Sequence, residues 1–65
     1  MLPYEKFKKT ANGKKLIEKY MLDTEEDYKQ WVEETQELWR CGTEMACDVA
    51  LMEGMTIDEI EDIIL

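Results

Sequence analysis

A chain of 65 residues with 16 acids, 8 Lys/Arg and a formal net charge of −8 is one small acidic domain, which buries only about 60% of its unfolded surface and so has a thin core. It contains no His and no Ser, which removes the commonest general base, the usual nitrogen ligand and the serine nucleophile together. Two Cys cannot complete a zinc site, so no enzyme, no metal and no cofactor is expected.

Residues 1–22, which include "LPYEKFKKTANGKKLIEKYML", carry helix-favouring residues and six Lys against two Glu. Pro3 suits an early helical position, where its missing N–H costs nothing. Tyr4, Phe7 and Ala11 recur at helical spacing, and so do Leu16, Ile17 and Tyr20. The pair Asn12-Gly13 falls between the two sets, which predicts two short helices joined there, or one helix interrupted there. Lys6, Lys8, Lys9, Lys14 and Lys15 form a candidate basic arm. The segment has no apolar run of signal-peptide length, and nothing in the chain approaches the ~20 apolar residues of a membrane span. Two thiols without a secretory segment fit a reducing compartment, so a cytoplasmic protein with no membrane partner is expected.

The next helix starts in "LDTEEDY", where Asp23 or Thr24 can cap the end and three acids face the positive pole of the helix dipole. An apolar stripe runs through Tyr28, Trp31, Val32, Thr35, Leu38 and Trp39. It stays in phase through Gly42, Met45, Ala46 and Val49. An opposite stripe reads Glu26, Glu33, Glu37, Glu44 and Asp48. Phase held across Gly42 predicts one helix from about Glu25 to Glu53; the alternative breaks at Gly42 and restarts with Thr43 as cap. In the continuous reading Gly42 sits on the buried face and admits a close backbone. Cys41 and Cys47, the two cysteines, would lie about 9 Å apart along such a helix and on different faces, too far for a disulfide.

The stretch "MACDVALM" (Met45–Met52) has Asp48 as its one charge, so the helix becomes apolar on two sides after Glu44. The N-terminal helices can cover one side. The other needs the C-terminal segment folding back, or a second copy of the chain. Trp39, Gly42, Ala46, Cys47 and Leu51 are the candidate self-association residues.

Gly54 ends this helix as a left-handed cap residue. In "MTIDEIEDIIL", Thr56 and Glu59 stand at capping-box spacing, with Ile57, Ile60, Ile63 and Ile64 on one face. The stretch "EGMTIDEIEDII" resembles the glycine–apolar–Ser/Thr–x–acid–Glu–Ile opening of the first helix in many bacterial helix-turn-helix regulators. The likeness covers 12 of 65 residues and implies a capped helix with an Ile face, of bacterial or phage origin. With no recognition helix following and acidic surroundings, it implies no DNA binding.

The expected fold class is therefore all-α: a single domain with a basic helical segment at 1–22, a long central helix within 23–54 and a short acidic helix at 56–65. Charge is divided between the halves, +4 over residues 1–22 and −12 over 23–65. The Lys-rich segment, laid against the acidic helices, would offset their self-repulsion. Carboxylates repeating along about 35 Å of helix could instead oppose a basic groove on another protein. Glu33, Glu34 and Glu37 surround the two Trp and repel a phosphate backbone, which disfavours direct nucleic-acid binding. The expected function is a non-catalytic protein-interaction module, in its sharp form a phage or mobile-element inhibitor occupying a basic nucleic-acid-binding surface, as anti-CRISPR or anti-restriction proteins do. A self-associating structural subunit, a homodimer, is the alternative, and a Lys arm on nucleic acid ranks third.

Overall fold

Pro3 precedes the first of five helices in the computed structural model, which describes residues 1–65 and contains no strand. In chain order they are α1 (Tyr4–Phe7), α2 (Ala11–Tyr20), α3 (Glu25–Arg40), α4 (Thr43–Glu53) and α5 (Ile57–Ile64). The all-α class follows from the composition, and three of the expected helix ends form. The Thr24 hydroxyl accepts from Asp27 N–H at 3.2 Å, with Glu25, Glu26 and Asp27 in the first turn. Gly54 closes α4 in the left-handed region, and Thr56 and Glu59 exchange both capping-box bonds at 3.1 Å.

Two junctions differ from expectation. The joint between the first helices lies at Lys8–Thr10, and Asn12-Gly13 belongs to the first turn of α2. Thr10 makes that start: its hydroxyl accepts from Gly13 N–H at 2.8 Å and donates to the Phe7 carbonyl at 2.8 Å. Glycine stands at 13 because the backbones touch there; a Cβ would sit 1.8 Å from the Phe7 carbonyl oxygen.

The long central helix is the second correction, for it is two helices. Gly42 has φ 124 and ψ 176, a backbone region that essentially only glycine occupies, and it takes the N-cap position of α4, with Thr43 as the first helical residue. The reason is burial. A helix from 25 to 53 would be about 43 Å long, whereas the folded chain measures 29 × 19 × 18 Å along its principal axes. Turning at Gly42 sets α4 against α3 and brings α5 onto both. This buries Ala46, Ala50, Met55, Ile60, Ile63 and Ile64, and each large apolar side chain so covered contributes roughly 1.5–3 kcal/mol. The few helical hydrogen bonds lost at the corner, each a net ~1 kcal/mol, are outweighed.

α3 forms the spine of the core. Tyr28 and Val32 are fully buried against Phe7, Leu16, Leu22 and the isoleucines of α5. The Phe7 and Tyr28 rings lie 4.3 Å apart, and Tyr4, Trp31 and Tyr20 extend the row of rings. Polar ends are satisfied locally: the Tyr28 hydroxyl donates to Leu2 C=O at 2.5 Å, Tyr4 to Leu22 C=O at 2.9 Å, and Thr35 to Trp31 C=O at 2.8 Å. No buried side-chain nitrogen or oxygen lacks a partner. No helix is long and apolar enough to cross a membrane.

Candidate protein-binding surfaces

The acidic residues keep their exposure but not their alignment. Glu26, Glu33 and Glu37 stand together on the outer face of α3, away from Tyr28 and Val32. Glu44 and Asp48 are also exposed, but on α4 beyond the Gly42 corner, so the five do not form one straight stripe. Glu37 is bound by Arg40 at 2.9 Å, both side chains largely in solvent, where such a pair contributes little.

The self-association residues are dispersed too. Trp39 is half-buried against the core and donates through Nε1 to Glu61 at 3.2 Å. Ala46 is buried within the chain. Gly42 has no atom within 4 Å of where a Cβ would be, so no backbone of this chain packs against it, and it forms the corner instead. Cys47 and Leu51 remain, on the outer side of α4, with Leu51 80% exposed. The fold-back of α5 covers the Ala46 and Ala50 side of "MACDVALM" and leaves Cys47, Leu51 and Met52 open. Cys41 and Cys47 are both free and exposed.

The basic residues do not form a loose arm. Lys6, Lys8, Lys9, Lys14 and Lys15 are exposed on α1, α2 and the turn between them, elements pinned by Phe7 and Leu16. Lys8 pairs with Glu5 at 3.1 Å and lies 5.5 Å from the Tyr4 ring centroid. Basic and acidic halves meet through rings and aliphatic groups and through hydrogen bonds such as Leu2 N–H to the Ile63 carbonyl at 2.8 Å and the Met1 ammonium to the Leu65 carbonyl at 2.9 Å. A single ion pair joins them, Lys19 to Glu53 at 3.4 Å. Asn12 adds a hydrogen bond to Glu59 at 2.7 Å, and this bond together with the Thr56 cap holds the Glu59 carboxyl below the usual range, the Thr56 backbone N–H being the largest cause.

Sequence reasoning missed the Lys19–Tyr20–Glu53 cluster. The Glu53 side chain is only 3% exposed, and it accepts from the Tyr20 hydroxyl as well as from Lys19. Lys19 also donates to the Met52 carbonyl at 3.1 Å, placing a cation at the negative end of α4. Burial first, and then the Glu53 carboxylate, push the Tyr20 hydroxyl up to about 12. No local signal reveals this cluster, because its partners lie more than 30 residues apart.

Beside the cluster runs a groove along one flank of α3. Two hollows of about 210 Å³ each meet at Tyr20, Trp31 and Glu34. One continues to Met21 and Asp27, the other to Leu38, Val49 and Met52. No group of three or more Cys, Asp or Glu converges where a metal ion could be held. No protein-family model, curated protein or solved structure matches this chain.

Proposed function

We propose that this chain is a non-catalytic protein-binding module that recognises a basic surface on a partner through the carboxylates of α3, flanked by those of α4. One observation carries the reading: the charge division of the sequence survives folding. Residues 23–65 bear a net −12, and the basic half withdraws one acid from that total by ion pairing, Glu53. Glu26 and Glu33 are exposed with no cation within 4 Å. A field of this kind steers a cationic partner and sets its orientation. The spacing of Glu26, Glu33 and Glu37, roughly 6 to 10 Å along the helix, suits a surface that otherwise holds phosphates. The sharp form of the proposal is thus an inhibitor from a phage or mobile element that occupies such a surface in the cytoplasm.

The test is affinity capture from the native host, comparing the wild type with the triple variant Glu26→Lys, Glu33→Lys, Glu37→Lys. Wild-type protein is expected to retain a basic partner that elutes with rising salt, and the variant, folded by circular dichroism, to retain at least about tenfold less. Equal recovery by both sinks the reading. A second reading, a homodimer, draws on Leu51 and Met52, which are 80% and 69% exposed on α4. Sedimentation equilibrium separates the two: a monomer at high micromolar concentration removes the dimer.

A further inference from the structure

We infer that the flank of α3 between Asp27 and Leu38 is the docking groove for a cationic amphipathic segment of the partner protein, an inference that rests on the reading above. The groove is built for a mixed ligand. Trp31, Leu38, Val49 and Met52 give it an apolar floor and wall, and Asp27 and Glu34 stand on its rim. The third carboxylate, Glu53, is already held by Lys19 and Tyr20. Asp27 and Glu34 have no cation within 4 Å. Apolar side chains seated along the floor and a Lys or Arg reaching each rim carboxylate satisfy the whole site at once.

The length fits as well. Asp27 and Leu38 are about 16 Å apart along the helix axis, the span of some three helical turns. An amphipathic helix lying in a groove anchors through positions i, i+3 or i+4, and i+7, a set about 10 Å long, which the groove holds with room for one further turn. Methionine side chains at both ends, Met21 and Met52, are 73% and 69% exposed and can repack around an incoming side chain. A second copy is the poorer occupant. A two-fold contact there would set Asp27 and Glu34 of each copy against the same carboxylates of the other, in a chain of net charge −8. The groove also adjoins the acidic outer face of α3, since Glu33 and Glu34 are neighbours, so one partner can engage both.

The experiment uses the full chain with isotope-labelled methionine methyl groups and three synthetic peptides of about three turns. One peptide alternates Leu and Lys in a helical pattern, one replaces each Leu by Ser, and one replaces each Lys by Glu. The Leu/Lys peptide is expected to shift the Met52 and Met21 resonances and leave buried Met55 in place. The other two are expected to bind at least about tenfold more weakly. Met52→Ser and Glu34→Lys should each weaken the Leu/Lys peptide by about tenfold, while Leu51→Ser, which lines neither hollow, should not. Equal binding of the Leu/Lys and Ser/Lys peptides overturns the groove. So does a loss with Leu51→Ser as large as that with Met52→Ser, or dimerisation that shifts Met52 without peptide. If the native partner still depends on Glu26, Glu33 and Glu37 while the groove residues prove silent, the groove falls and the acidic-face reading stands.

Discussion

Gly13 shows how one residue can be misread when its neighbours are known only in sequence. Asn-Gly is a turn signal, yet this glycine is helical and is required because the Phe7 carbonyl occupies the space of a side chain. Gly13→Ala forces the α1–α2 junction apart and should lower stability on the order of 3 kcal/mol, the range of severe overpacking, measured as a fall in the urea midpoint. Tyr20 and Tyr28 carry a different residue-scale consequence. Burial raises both hydroxyls from 10.0 to about 12, so the folded state holds their protons more tightly than the unfolded state. Their contribution is complete below pH 10 and disappears between pH 10 and about 12. Unfolding followed by circular dichroism at rising pH should show stability falling through that window, and Tyr20→Phe should remove part of the fall. Glu59 acts with the opposite sign, its depressed carboxyl contributing above the ordinary range and losing that contribution as acid is added.

Among the helices, local signals were legible and long-range ones were not. Thr24, Gly54 and the Thr56–Glu59 box could be read from residues three or four apart, because capping chemistry is local. The apolar face of α5 could be read for the same reason. The Gly42 corner was hidden by phase: Trp39, Ala46 and Val49 keep helical spacing whether or not the chain bends, so periodicity cannot distinguish one helix from two. The exposure of the candidate site residues was partly legible, with Glu26, Glu33 and Glu37 on one face of α3 as spaced. The groove and the buried Glu53 depend on contacts between α2, α3 and α4, which no window of sequence contains. The Lys19 tie between α2 and α4 gives the element-scale test. Lys19→Ala leaves the Glu53 carboxylate sheltered with one donor fewer and uncaps the end of α4, at a cost of about 1–3 kcal/mol. Chemical denaturation compared with Lys14→Ala, an exposed lysine without such a contact, measures it.

At the scale of the molecule, the fold tolerates its charge without neutralising it. With ion pairs limited to Lys8–Glu5, Lys19–Glu53 and Arg40–Glu37, most of the −8 remains as self-repulsion, which salt screens over a Debye length that shrinks from about 10 Å at 0.1 M to about 3 Å at 1 M. The melting temperature is therefore expected to rise between low and molar NaCl by on the order of 5 °C, equivalent to about 1 kcal/mol for a domain this small. A flat or falling curve would mean that attractive pairs outweigh the excess of acids.

The corner at Gly42 has a consequence for topology. Because the apolar faces of α3 and α4 are in register along a straight helix, straightening the corner disturbs neither pattern; it only carries α4 and α5 away from their own α3. They can then pack on the α3 of another chain in the arrangement they have now, a reciprocal exchange of arms. Gly42→Ala, whose side chain is strained at φ 124 by roughly 1–3 kcal/mol, is expected to shift the protein towards such an exchanged dimer at high concentration, detected by light scattering and by a rise in helical content. On this expectation, one missing methyl group separates a chain that completes its core by itself from one that borrows half of it from a neighbour.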